Sequence, residues 1–468
     1  GYSIKENYVL KDGDGILKNE ERNFEFRMWL DGENEEAWTS EQVESKNYQV
    51  KISVIGTVKT EPKDDLYIAA LIDGEESTTF PTTKDYTATV NCTRKGKKID
   101  ANESIEWTGL RWALTTTITD GNTRCNVEFE SLPTWENPGK NTLLAAIKNG
   151  NTVQTPTTTP GTEISADTEA LLASTEDDYG TSYYFRGAVT NNYVQFANKC
   201  WRIVRVGGDG SVKLILHNDN TAGAANPCNS ANNSGDAAFA RYSGTTYTSK
   251  FNTNYDDNAY VGFMYGTPGS STYDATHANT NKSTILINLE TWYNNNLKTY
   301  ESVIDNSVWC NDKTNVTDTT FDPWSQNPNG LGYAKNLTFY GAIQRLISTS
   351  GSAGGTGPSL KCNGELSKIA SKIGLITADE LAFAGYACGL GNTTTYLQEN
   401  ATDDWWWSLS PDSFDGGDAY VWGVSGGLGV FGGRVYSAGG VRPSISLKST
   451  TNVSGDGTST NPFKVIMN

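Results

Sequence analysis

Nucleophilic catalysis by a Ser/His/Asp set needs an imidazole to take the hydroxyl proton and a carboxylate to orient that imidazole. The 468-residue chain has only two histidines, His217 and His277. His217 ends a strand-like run and His277 lies in a Ser/Thr/Asn-rich loop, so neither stands in a catalytic pattern and structural roles are expected for both. The seven cysteines, Cys92, Cys125, Cys200, Cys228, Cys310, Cys362 and Cys388, are widely spread and include no CxxC pair, so metal-ligand spacing is absent. Set between strand-like segments of a polar, His-poor chain, they are expected to form two or three disulfides in an oxidising compartment, with one thiol left over.

Oxygen donors are more plentiful. Asp403, Asp404, Asp412, Asp415 and Asp418 surround the tryptophans at 405–407. Glycoside hydrolysis would need two of them about 5 to 9 Å apart. Acids within Gly/Ser/Asn runs are more often turn formers. Asn254, Asp256, Asp257 and Asn258 form a loop cluster in which Asp256 and Asp257 are the candidate metal ligands, with calcium the ion such oxygens suit. Asp12-Gly-Asp-Gly15 opens like an EF-hand loop but fails at the next ligand position, which is Ile16.

Composition narrows what such residues can serve. With 37 basic against 54 acidic side chains the formal net charge is -17, which repels nucleic acid and anionic lipid, and no basic stripe offsets it. Aromatic residues at 11% oppose disorder. The 13 Trp, 23 Tyr and 15 Phe beside 47 Gly describe short strands, many turns and large aromatic core pieces, a mainly β, multidomain chain. No window of about 20 apolar residues exists to span a membrane. The opening at Gly1 is expected of an exported product whose signal has been removed.

The elements that must position these residues fall into four stretches. Residues 1–58 carry strand-like runs at Tyr8-Val-Leu10, 24–30 and 48–55. Three strands cannot enclose a core alone, so this region is expected to be the tail of a larger domain, to dock on a neighbour or to be completed by a strand from another chain. Residues 59–134 are expected to form an Ig-like β sandwich, with Cys92 and Cys125 bridged beside Trp107 and Trp112. A helix over 141–148, the Thr/Pro run 155–161 and a short helix over 166–173 make a spacer across 135–178. The rest, 179–468, opens with a hairpin at Gly207-Gly-Asp-Gly210 and has helices over 283–297 and from Thr377, where Thr377 and Glu380 form a capping box. Glycine pairs at 416–417, 426–427, 432–433 and 439–440 suggest successive tight hairpins in the final stretch. Pairing Cys310 with Cys362 and Cys200 with Cys228 closes local loops and leaves Cys388 single, although five cysteines allow other pairings. Cys388 itself is expected to be buried and inert.

Six motifs occur in order: Ser182-Tyr-Tyr-Phe-Arg-Gly187, Asn198-Lys-Cys-Trp-Arg-Ile-Val-Arg205, Trp309-Cys-Asn-Asp312, Gly374-Leu-Ile-Thr-Ala-Asp-Glu380, Trp406-Trp-Ser-Leu-Ser-Pro411 and Gly440-Val-Arg-Pro-Ser-Ile-Ser-Leu447. Together they resemble a module of secreted Gram-positive proteins in the C-type-lectin-like superfamily. That superfamily includes formylglycine-generating enzymes and the variable ligand-binding proteins of diversity-generating retroelements. The resemblance covers 179–468 and implies an α+β lectin-like head whose glycine-punctuated C-terminal segment binds ligand. It marks Trp405, Tyr420, Trp422, Ser425, Leu428, Phe431, Arg434 and Tyr436 as contacts, together with Val424, Val430 and Ser437. Trp406, Ser408, Arg442 and Pro443 are framework by the same likeness, Arg442 expected to pair with a buried carboxylate. Phe26-Arg-Met-Trp-Leu30 is weakly similar to camelysin and TasA-type fibre proteins, which implies assembly by donated strands.

These readings converge on a non-enzymatic extracellular adhesin or pilus-like filament subunit at the cell surface. Its expected partners are copies of itself and a glycan or protein of a host or neighbouring cell. The competing expectation is an extracellular enzyme, either of the formylglycine-generating-like fold or a polysaccharide hydrolase.

Overall fold

The computed structural model describes residues 67–467, apart from residues 83–84, 95, 101, 109–110 and 118–122. The assembly region expected over 1–58 lies outside the described residues. The protein is mainly β, with 35% strand and 13% helix distributed over several separate sheets.

The first body is a five-stranded sheet in the order Glu75–Ser77, Tyr67–Ile72, Thr123–Ser131, Tyr86–Arg94 and Lys97–Lys98. Alternation decides its faces: Cys125, Val127 and Phe129 point inward from Thr123–Ser131, while Arg124, Glu128 and Glu130 point out. The hairpin of Ser104–Trp107 with Trp112–Thr115 covers the inward face, Trp112 meeting Phe129 edge-on at 5.3 Å. The Cys92–Cys125 disulfide forms as expected, but between residues directly opposite in adjacent strands of one sheet. It therefore does not join two facing sheets, as the bridge of an Ig domain would.

The spacer differs from its sequence reading. The helix Leu143–Gly150, capped by Thr142, buries Leu143, Leu144 and Ile147 in the core of the following body. Residues 166–173 do not form a helix: Ala170–Asp177 is a strand, paired residue for residue with Gly180–Gly187. Tertiary pairing outweighs a weak local helix preference. The Thr/Pro run is no free linker either. Glu169 accepts from the backbone N–H of Thr157 at 2.7 Å and the Thr158 hydroxyl at 2.7 Å, and is ion-paired to the fully buried Arg186 at 2.8 Å. A buried carboxylate with that many donors straps the segment down.

Two large sheets build the C-terminal body, beside two small two-stranded ones. The larger runs Ser444–Leu447, Val212–Asn218, Lys199–Val206, Tyr193–Phe196, Phe463–Val465 and Val453–Ser454, with Gly180–Gly187 and Ala170–Asp177 attached through Lys199–Val206. The Gly207–Gly210 hairpin falls where the sequence placed it. The other sheet runs Thr248–Lys250, Ala438–Gly440, Trp406–Phe414, Ala419–Ser425 and Gly429–Arg434, with Thr338–Phe339 beside Trp406–Phe414. The helix Thr284–Asn296, capped by Ser283, turns Ile285, Leu289, Trp292 and Tyr293 inward. Disulfides Cys200–Cys228 and Cys310–Cys362 close the two local loops, and Cys388 is free.

Between the sheets lies the helix Ala378–Ala384, whose capping box of Thr377 and Glu380 is present. One Glu380 oxygen accepts from Thr377 N–H at 2.9 Å; the other accepts from Arg205 at 2.8 Å and Lys213 at 2.6 Å. Arg205 continues to Asp177 at 2.8 Å, and nearby Arg345 bridges Asp312 and Asp379, each at 2.7 Å. Burial disfavours the Glu380 charge, but Lys213 and Arg205 outweigh it and hold the carboxyl down at about 2. A carboxyl depressed in the folded state contributes stability that is present above its ordinary value of 4.5 and is lost as pH falls toward 2. Glu380→Gln should lose about 3 to 5 kcal/mol at neutral pH, because two buried cations lose their shared counter-charge. It should also flatten the acid limb of stability between those values. Urea unfolding of both forms across that pH range checks this; an unchanged acid limb would count against the network.

Candidate ligand-binding face

The candidate contacts are carried by a ribbon in which Ala419–Ser425 and Gly429–Arg434 pair in unbroken register: Tyr420 faces Arg434, Trp422 faces Gly432, and Gly423 faces Phe431. Side chains alternate across a strand, so this register divides the candidates between two faces. Phe431 lies on one face, where the Trp405 ring stands 5.6 Å from it and 4.5 Å from the Trp407 ring. Tyr420, Trp422 and Arg434 lie on the other. The structure does not bring the candidates into one patch.

The glycine pairs explain part of the division. Those at 416–417 and 426–427 are turns, as expected; those at 432–433 and 439–440 lie inside strands. A β-carbon at Gly439 would come 2.7 Å from the Trp405 ring, one at Gly423 3.0 Å, and one at Gly433 3.1 Å from Trp407. At Gly440 it would come 2.6 Å from Phe239. These glycines are absent side chains that let indole and phenyl rings lie on the backbone, a close-approach role instead of a turn role.

On the Tyr420 face an exposed polar-aromatic cluster forms. The Asp415 carboxylate accepts from Gly417 and Asp418 N–H at 2.9 and 2.7 Å and from the Tyr420 hydroxyl at 3.0 Å. Burial opposes its charge, but these donors, backbone first, hold its carboxyl below the usual range. Arg434 donates to the Tyr420 hydroxyl at 3.0 Å and pairs with Asp418 at 3.1 Å, with half of its own side chain exposed. Tyr436 reaches Asp418 at 3.5 Å and packs on Tyr255 at 4.7 Å between ring centres. Tyr255 was missed in the sequence, where its loop was read only for oxygen donors. An exposed tyrosine inside that polar loop is the feature that could have found it. Its carbonyl accepts from Ala419 N–H at 2.8 Å, which fixes the loop to the ribbon.

Other candidates are placed differently. Trp422 is 1% exposed, and Val424 and Val430 are fully buried, so these three are packing residues of the sheet. Ser425 closes the ribbon turn by accepting from Leu428 N–H at 3.0 Å, and Leu428 projects at its tip, 57% exposed. Ser437 lies half-buried just beyond the ribbon. Gly432 is exposed on the Tyr420 face, and the space its β-carbon would take is bounded at 2.6 Å by the buried Asp412 carboxyl, which burial pushes up to about 6.

The groups that could do chemistry are committed elsewhere. His277 is fully buried; burial and then Lys313 lower its imidazole to about 3, and its ring meets Gly332 O at 2.8 Å. His217 is likewise buried in its strand. Burial first, then Asp412, pushes the Cys388 thiol up to about 12, away from the thiolate form. Asp257 caps a 3-10 turn by accepting from Ala259 and Gly269 N–H at 2.9 Å each, and exposed Asp256 faces Lys335 at 3.5 Å. Among the described residues no three His, Cys, Asp or Glu side chains gather as a metal-binding group. Framework residues Trp406, Ser408 and Pro443 are buried. Arg442 is buried too, but no carboxylate among the described residues pairs with it: it donates to the carbonyls of Leu216 and Leu397 and lies over the Trp406 ring. One strand and one turn beside it offer carbonyls where the sequence suggested an acid.

No helix of the described residues is long and apolar enough to cross a membrane. Comparison of the chain with family models, with curated proteins and with solved structures finds no match.

Proposed function

We propose that the protein acts outside the cell as a surface adhesin or pilus-like filament subunit, its C-terminal body a lectin-like head that holds a glycan or protein ligand. The observation that carries this reading is the surface cluster in which exposed Arg434 and half-buried Tyr420 of the ribbon meet half-buried Tyr436 and the exposed Tyr255 of the neighbouring loop. Tyrosine brings large contact area at small entropic cost and arginine brings directional hydrogen bonds, which is why both are enriched in binding hot spots. Three disulfides fit an oxidising location. Self-assembly is assigned to residues 1–58 on the sequence pattern alone.

Glycan and surface-protein arrays probed with the whole chain test the binding part, with and without chelator to expose any calcium requirement through the Asp256–Asp257 loop. Arg434→Ala and Tyr420→Ala should each weaken a specific hit by about 10-fold or more while leaving the melting temperature nearly unchanged, since both side chains are at the surface. Specific binding that survives both substitutions places the ligand elsewhere; no specific binding at all sinks the adhesin reading.

Assembly is tested separately by electron microscopy of the purified protein. Regular fibres are expected from the full chain and not from a chain lacking 1–58, while array binding is retained by the shortened form. Fibres formed equally well without 1–58 would remove that region from the assembly role.

A further inference from the structure

The interior around Arg442 carries positive charge that its neighbours do not cancel. Arg442 and Arg202 are both fully buried. Arg202 pairs with Glu399 at 2.8 Å, but that carboxylate is a third exposed and also serves Tyr193 and Asn233. His217 adds no charge, because burial, with Arg202 and Arg442 nearby, keeps its imidazole neutral. Among the described residues Arg442 has no acid partner: Nε donates to Leu216 O at 2.8 Å, Nη1 donates to Leu397 O, and Nη2 has no acceptor. Burial lowers its guanidinium only to about 10, so it stays protonated at neutral pH.

Two further donors in this cluster lack acceptors. The Trp406 ring lies 4.8 Å beneath the Arg442 guanidinium, and its Nε1–H is buried and unpartnered. Tyr396, next in the chain to the Leu397 carbonyl that Arg442 uses, lies 5.3 Å from the Arg202 guanidinium, and its buried hydroxyl is also unpartnered. An unpartnered buried polar group costs about 1 to 3 kcal/mol, and an uncompensated buried charge costs more. A water molecule could accept some of these hydrogens but would leave the charge in place.

We propose that the junction of the two sheets encloses a binding site for a small inorganic monovalent anion of chloride size, held by Arg442 Nη2, Trp406 Nε1 and the Tyr396 hydroxyl. The anion supplies the counter-charge that the framework arginine lacks, and it ties the loop 392–401 to both sheets. The site is distinct from the exposed ribbon face, and it does not depend on what that face binds.

Crystals of the whole chain, prepared throughout in chloride, are measured at long wavelength, where chloride scatters anomalously. The expected result is an anomalous peak within hydrogen-bonding distance of Arg442 Nη2 that is lost in Arg442→Gln. Density there without anomalous signal, or no density, overturns the proposal. Should Arg442→Gln fail to fold, Trp406→Phe removes one donor and keeps the ring. The melting temperature of the native chain should rise when gluconate is exchanged for chloride at matched ionic strength, and this rise should be smaller in Trp406→Phe. An equal rise in both proteins also overturns it.

Discussion

The structure of the C-terminal body turns on the buried carboxylate of Glu380. Through one oxygen it closes the N-terminus of its own helix; through the other it holds Arg205 and Lys213 from neighbouring strands of the larger sheet. The same helix start reaches the smaller sheet, where Ala378 N–H donates to the Ser410 hydroxyl at 2.9 Å, and Leu409 N–H donates to Ile376 O at 2.8 Å. One short helix is thereby bonded to both sheets. A charge with so few escape routes is strongly position-dependent, since moving any partner leaves a buried ion alone.

What hangs from this joint is the strand Trp406–Phe414, and from it the ribbon. Its stiffness comes from rings lying on bare backbone: Trp405 over Gly423 and Gly439, Trp407 against Gly433, Phe239 against Gly440. With the sheet held from within, the turn residues at 415–418 and the side chains of Tyr420, Arg434 and Tyr436 can be spent on the surface. Loops and edges on a rigid support are where recognition is commonly built.

Local patterns proved legible in the sequence. The capping box at Thr377 and Glu380, the inward stripe of the 283–297 helix, the Gly207–Gly210 hairpin and the three cysteine pairs each depend on residues near in sequence or on few alternatives. Patterns with two physical solutions were read less well. A glycine pair can make a turn or make room, and only the positions of Trp405, Trp407 and Phe239 decide which. Ala170–Asp177 is a strand because Gly180–Gly187 stands beside it. Trp422 is an aromatic residue in a binding segment and shares a ribbon face with Tyr420, yet packing of the body against that stretch buries it.

The sequence by itself determined the mainly β character, the oxidised cysteine framework and the capped starts of the helices after Ser283 and Thr377, because composition, cysteine number and capping act over a few residues. Tertiary structure alone decided which of the candidate contacts share a face, because one strand register assigns every side chain at once. It also decided the surroundings of Arg442. Its spacing from any acid in the chain says nothing about whether a carbonyl or a carboxylate will stand beside it, and here a strand and a turn bring carbonyls.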